Sequence, residues 1–287
     1  MESQPKQKRT PGQLFVVATP IGNLGDMSYR AVDTLQNVHL IAAEDTRNSG
    51  RLLAHYHIDT PMLSLHEHNE SSRIRTLLAE LEQGHDIALI SDAGTPLISD
   101  PGYRLVHHIS KAGIRVVPVP GPCSPIAALC ASGLPSDRFT FIGFLPRSGQ
   151  ARRQALQQLA SARDTHIVME SPKRLRKTLR ELCEVSVPSQ EVCIARELTK
   201  LHEEFVSGPI GDVLGRIEKK QPRGEVVMVI GPAPKTSGTV SDEDILACLQ
   251  APAMQALAPA VRARAVASAL AIPKSRVYKL HIKTADH

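Results

Sequence analysis

The sequence predicts an α/β protein, two α/β domains with a ligand cleft between them, plus a small all-α extension at the C-terminal end. Three observations carry this. Short β-branched runs alternate with stretches at helical spacing, the rhythm of βαβ units on a mostly parallel sheet. The chain has 287 residues, a length that suits about two domains. Its composition also breaks twice, at a Pro-rich stretch near residue 120 and at a Pro, Gly, Ser and Thr stretch over 232–239.

The elements follow in order. Residues 1–12 form a polar, basic tail with Lys6, Lys8 and Arg9, and nothing in them reads as a signal peptide. Residues 13–19 are apolar and β-branched, hence a strand. Residues 28–36 read as a capped helix and 39–43 as a strand. A helix over 71–83 follows from Ile74, Leu77, Leu78 and Leu81 at i, i+3, i+4 and i+7, with Gly84 as its stop. A strand at 86–91, a helix at 102–112 ended by Gly113 and a strand at 114–119 complete a domain over 13–120. The rhythm resumes after the Pro-rich linker, with strands at 139–142, 166–169, 192–195, 204–206 and 226–230. Ser171-Pro172 reads as a cap followed by proline in the first helical turn, with Leu175, Leu179 and Leu182 on one side of the helix. This places a second domain at 121–234. Helices at 241–249 and 254–270 then lead into "ASALAIPKSRVYKL" (267–280), within a helical domain at 240–287. That stretch is helix-turn-helix-like and basic through Lys274, Arg276 and Lys279. It is either an RNA-contacting module or a packing appendage.

Composition narrows the function. Five cysteines with no Cys-x-x-Cys argue against a disulfide framework or a zinc ribbon and favour a reducing cytoplasm. The uncharged stretch 116–136 contains five prolines, which a membrane-spanning helix tolerates poorly, so no membrane partner is expected. Net charge is +5, and residues 147–180 carry nine Lys/Arg against Asp164 and Glu170. Such a patch suits a polyanion, although a solvated helix face is the commoner origin of a charge run. Tryptophan is absent and aromatics make up 3%, so phosphate contacts and shape would dominate binding to a nucleic acid.

Three small-residue loops follow predicted strands: Thr19 to Asp26, Asp92-Ala93-Gly94, and Pro120 to Pro125. In open parallel sheets ligands bind outside the carboxyl ends of strands, and small residues let the backbone approach them. No G-x-G-x-x-G or G-x-x-x-x-G-K is present, so neither a dinucleotide nor a nucleoside triphosphate is the natural ligand.

The segments "VATPIGNLGD", "AAEDTRNSGRLL", "LHEHNE", "LISDAGTPLISDPG", "VPGPCSPIAAL", "FIGFLPR", "ESPKRL", "ARELTKLHEEFVSG" and "GEVVMVIG" occur in that order. Together they resemble the ribosomal RNA small subunit methyltransferase I family, a branch of the tetrapyrrole-methylase-like (class III) methyltransferases, over about residues 14–231. The resemblance implies S-adenosylmethionine bound between two α/β domains. It also implies a homodimer and methyl transfer to the ribose 2′-OH of a decoding-centre cytidine in 16S rRNA, alone or in the 30S subunit. As cofactor residues it implies Pro20, Asp92, Ala93, Gly94, Thr95, Ser124, Pro125, Met169, Leu198 and Val226.

A ribose hydroxyl is a poor nucleophile at neutral pH, so a base or a cation is expected beside it. Asp100 is the candidate base, with capping of the helix beginning at Pro101 as its alternative role. Arg47 and Arg196 are candidates to stabilise charge on the attacking oxygen or hold phosphate, or else belong to structural ion pairs. Asp45, His66, His68 and Asn69 are substrate-side candidates; Arg147, Lys173 and Arg174 are phosphate-binding candidates, as are the tail cations. His55/His57 and His66/His68 form His-x-His pairs that a strand would put on one face. Neither has a third ligand, so no metal is expected. The rival functions are C-methylation of a tetrapyrrole, diphthine synthesis, and RNA binding without catalysis.

Overall fold

The computed structural model describes residues 10–219, 223–234, 242–251, 257–270, 277, 278 and 280. The first sheet is parallel throughout, as the alternation requires. Its strands are β1 (Leu14–Val17), β2 (Leu40–Ala43), β3 (Met62–Ser64), β4 (Ile87–Ile90) and β5 (Val116–Val119), in the order β3-β2-β4-β1-β5. Helices α1 (Tyr29–Asn37), α2 (Thr46–His55), α3 (Glu70–Glu82) and α4 (Tyr103–Lys111) make the crossovers. The Ser28 hydroxyl caps α1 by accepting from the Ala31 amide at 3.1 Å. Ile74, Leu77 and Leu81 of α3 are buried, and Gly84 stops the helix at φ 94°. Both faces of the sheet are covered, with Leu14, Ala42 and Leu89 packed on one side and Val17, Ile41, Ala88 and Ile90 on the other.

α5 (Ser124–Ser132) then carries the chain across to the second sheet, against which it packs. The sequence reading leaves this stretch as linker. Its prolines instead frame a helix, with Pro125 in the first turn, where the missing N–H is harmless. The second sheet holds β6 (Phe139–Phe144), β7 (Thr165–Glu170), β8 (Glu191–Arg196), β9 (Glu204–Pro209) and β10 (Val226–Ile230), in the order β6-β7-β10-β8-β9. Only β6 and β7 are parallel. A short turn allows β8 and β9 only an antiparallel pairing, and β10 enters between β7 and β8 antiparallel to both. α6 (Gly149–Ser161), α7 (Pro172–Val185) and α8 (Ile210–Lys219) complete this half. Leu175, Leu179 and Leu182 of α7 are fully buried among Val168, Ile194 and Met228, and the opposite sheet face meets α5.

Both sheets fall in one compact unit ending at Ala233. The residues from Pro234 form a second unit, in which α9 (Asp242–Gln250) and α10 (Pro259–Ala269) bury Ile245, Leu249, Ala263 and Val266 together. The expected helix over 254–270 begins at Pro259 in the described residues. Lys274, Arg276 and Lys279, with most of the predicted turn, lie outside them, as do Lys6, Lys8 and Arg9. No helix among the described residues is long and apolar enough to cross a membrane.

Candidate active site

The three small-residue loops follow β1, β4 and β5, which are neighbours in the sheet, and they touch. Thr19 and Gly94 exchange two backbone hydrogen bonds, at 2.9 and 3.0 Å. The Thr95 hydroxyl donates to the Pro122 carbonyl at 2.9 Å. Gly94, at φ 85°, lies where a Cβ would come within 3.2 Å of the Ile21 side chain. Asp92 tethers this cluster to the start of α2 by accepting from the Asp45 amide and the Asn48 side chain.

Opposite these loops stand the ends of β6, β7, β8 and β10. Ile21 and Ser124 from the loop side, with Phe144, Met169, Ala195, Leu198 and Val226 from the second sheet, line an open cavity of about 240 Å³. It is mostly apolar and near the small end of the range for ligand sites. Ser124, Met169, Leu198 and Val226 are thus brought to one cavity, while Pro20, Gly94, Thr95 and Pro125 lie in or behind its bracketing loops. Ala93 and Asp92 stand farther out and are exposed. The sequence-based cofactor set omits Ile21, Phe144 and Ala195, although each lies inside a motif at a strand end, "VATPIGNLGD", "FIGFLPR" and "ARELTKLHEEFVSG".

Asp100 lines a separate cavity with Glu44, Glu67, Ser99 and Tyr103. Its loop adopts the left-handed region at Gly94, Leu97, Ser99 and Gly102. Backbone strain of this kind concentrates at functional sites. Ser99 also reaches the second sheet: a Cβ on Gly143 of β6 would lie 3.5 Å from its hydroxyl, beside Phe144. Burial, then the charges of Glu44 and Asp92, raise the Asp100 carboxyl to about 6, against a hydrogen bond from Ser91 that favours ionisation. Burial likewise raises Glu44. The helix-cap alternative for Asp100 is overturned. The helix begins two residues later than expected, Gly102 holds the cap position without a side chain, and Glu70 of α3 accepts from the Leu105 amide at 2.9 Å instead.

Other expectations need correction. Asp45 caps α2 and pairs with Arg47 at 2.9 Å, a bond that holds its carboxyl at about 2. Arg196 pairs across β8–β9 with Glu204 at 2.8 Å and shares the sheet face of Ile194, opposite to Ala195 and the cavity. Neither His-x-His pair lies on a strand. His55 ends α2, His57 has φ 54°, and His66 and His68 sit in the turn after β3, where Asn69 ties the His66 amide to the Ser64 carbonyl. Among the described residues, His39, Glu80 and His85 are grouped within metal-ligand reach. They lie at the N-terminal ends of β2 and β4, away from the loops after β1, β4 and β5, and the two imidazoles stack at 4.0 Å and 17° over the Glu80 carboxylate that both approach.

The basic patch is largely spent internally. Arg152 and Arg174 turn inward to Glu181 and Glu170. Lys177 reaches Glu181, Arg176 the last carbonyls of α8, and Arg180 Glu218. Arg174 is therefore not free to meet a phosphate as expected. Arg147, Arg153, Arg163 and Lys173 remain exposed and without a partner among the described residues.

Two sheets joined at a cleft, with ligand loops on one side and strand ends on the other, define a methylase fold. Residues 13–214 match the family model of Tetrapyrrole (Corrin/Porphyrin) Methylases. Solved structures share the fold. A cobalt precorrin-4 methyltransferase of cobalamin biosynthesis aligns at TM-score 0.58 with 18% identity, covering 76% of this chain and 94% of that one. A uroporphyrin-III C-methyltransferase from Thermus thermophilus, complexed with S-adenosyl homocysteine, aligns at 0.54 with 18% identity, covering 77% and 97%. The chain belongs to this family and, within it, to the branch of proteins named ribosomal RNA small subunit methyltransferase I. It is 45% identical over 273 residues to the one from Synechocystis sp., covering 95% of this chain and 98% of that protein. It is 44% identical over 284 residues to the one from Escherichia coli O157:H7, covering 97% and 98%.

Proposed function

We propose that the protein is an S-adenosylmethionine-dependent methyltransferase acting on the ribose 2′-OH of a cytidine in the decoding centre of 16S rRNA, with the 30S subunit or its rRNA as partner. The observation that carries this is the apolar cavity between the loop cluster and the second sheet, with the Asp100 loop packed against the strand that bears Phe144. The donor set fits the cofactor. Met169, Leu198 and Val226 offer apolar surface to a nucleoside, and Gly94 leaves room where a side chain would intrude. When bound, the cofactor supplies a methyl carbon activated by a sulfonium.

The chain's own task is alignment and proton removal. With the cofactor held in the cavity, Asp100 would take the ribose proton as the hydroxyl oxygen displaces the sulfur from the methyl carbon, the leaving group being a neutral thioether. A carboxyl tuned to about 6 is ionised at neutral pH yet far more basic than an ordinary aspartate. Arg147, Arg153, Arg163 and Lys173 offer the cationic surface for phosphates. A homodimer is supported by the exposed Phe139, Ile142 and Phe144 on the edge strand β6. The test is methylation of 16S rRNA and of 30S particles with labelled cofactor, followed by nucleotide mapping. A mark on a base, or on no RNA, refutes the reading.

A further inference from the structure

Glu170 stands at the end of β7 with its side chain fully buried, and the proton-transfer chemistry has no use for it. One of its oxygens accepts from the Ser171 amide at 2.7 Å and from Arg174 Nε at 2.7 Å. The other accepts from the Thr178 hydroxyl at 2.7 Å. That hydroxyl in turn accepts from Arg152 Nη2 at 2.8 Å. The two guanidiniums reach onward to consecutive carbonyls, Arg174 to Leu145 at 3.0 Å and Arg152 to Pro146 at 3.1 Å. Arg152 also pairs with Glu181, which balances the charges.

One end of this network lines the cofactor cavity beside Glu170 itself, and the other directly follows a lining residue, Phe144. Leu145 and Pro146 follow Phe144, where the β6–β7 pairing ends. Ser171 and Pro172 line the cavity directly. The first is a loop beyond the β6–β7 ladder, the second the opening turn of α7, and one carboxylate ties the two together. A surface ion pair would do this weakly. A buried carboxylate with a donor at every bond fixes geometry, because no water can replace a lost partner.

We propose that Glu170 is a positioning residue for the cofactor. Through Arg174, Thr178 and Arg152 it holds the segment after Phe144 at a fixed spacing from Ser171-Pro172, so that the cavity is already shaped before the ligand arrives. This rests on the cofactor reading above.

The test compares the wild type with Glu170→Gln, Thr178→Val and Thr178→Ser. All are assayed with 30S particles and S-adenosylmethionine at least 15 °C below each variant's melting temperature. Calorimetry of the wild type with S-adenosylmethionine comes first, and absence of binding there sinks the cofactor reading rather than the network. Given binding, Glu170→Gln raises KM for the cofactor about tenfold or more, with kcat at saturation within about threefold and KM for the particle unchanged. Thr178→Val moves the same way by a smaller factor, and Thr178→Ser, which keeps the hydroxyl, restores wild-type values. If Glu170→Gln does not fold, the Thr178 pair decides. Lower melting temperatures with cofactor KM within twofold of wild type would show a purely structural network and overturn the proposal.

Discussion

Asp100→Asn makes a base and a structural aspartate give opposite answers. The Asp100 carboxyl lies at about 6 in the folded chain against an ordinary value of 3.8. A folded value above the unfolded one means that the native state holds the proton more tightly. Stability therefore falls as pH rises from about 4 to about 6 and stays at the lower level above that. At about 1.4 kcal/mol per pH unit, a shift of this size carries about 3 kcal/mol if taken whole. The carboxyl is only part-buried, and solvent screening reduces this to roughly 1–2 kcal/mol.

An asparagine never ionises, so the variant escapes that loss. At pH 8 Asp100→Asn is expected to be more stable than wild type by roughly 1–2 kcal/mol, a rise of about 2–6 °C in melting temperature for a domain of this size. Near pH 4 the two curves converge. Activity moves the other way: kcat falls on the order of 10²–10⁴-fold with the base gone. Wild-type kcat/KM climbs with pH up to about 6 and then levels. The assays are calorimetric melting of both proteins at pH 4 and pH 8, and a pH–rate profile with 30S particles. A variant less stable than wild type at pH 8, or a flat rate profile between pH 5 and 7, would refute the reasoning, because burial would then not be opposing a functional charge.

Salt dependence reports how much of the basic patch is available. Four free cations predict a log–log slope of RNA affinity of about −3, against about −6 for all nine, and Arg153→Ala should reduce the slope by about 0.7; filter binding at 50–200 mM salt measures this. Gly22→Ala places a Cβ 2.4 Å from Lys200 Cγ, which should push the first loop from the β8–β9 turn and weaken cofactor binding about five- to tenfold by calorimetry, with the fold intact by circular dichroism. Arg152→Met removes a buried guanidinium with four polar contacts and should cost about 3 kcal/mol in urea unfolding, whereas Arg153→Met, exposed one residue away, should cost less than about 0.5 kcal/mol.

Four strands of the first sheet were legible as short apolar runs, and their parallel pairing follows from the crossovers; β3, only three residues long, and α2 before it passed unread. The second sheet kept its strands but not the mostly parallel pairing that the resumed rhythm implied, since nothing in "EVVMVIG" says that β10 will slip antiparallel between β7 and β8. Local pattern also hid α5, because prolines that read as linker are admitted in a first helical turn. At the site, loop residues such as Gly94 and Ser124 were found by their motifs. The cations failed for a different reason. A sequence shows that Arg152, Arg174 and Arg196 are charged, but not that Glu181, Glu170 and Glu204 wait for them, each on another element.

That failure bears on how the site is built. Charges in this chain divide by burial into two kinds of work. Arg152, Arg174 and Glu170 are satisfied bond for bond; Asp100 and Glu44 are raised by burial and then by neighbouring carboxylates. Leu97 and Ser99 add left-handed backbone that side chains disfavour, on the order of 1–3 kcal/mol at each. Such a loop keeps its shape only if neighbours over-determine it. The neighbours here are Glu70 of α3, which accepts from the Leu105 amide at the start of α4, and the edge strand β6, one from each half of the fold. The Asp100 carboxyl thus sits in a loop that both sheets contact, so a change at Gly143 should act on Asp100 as directly as a change in its own loop.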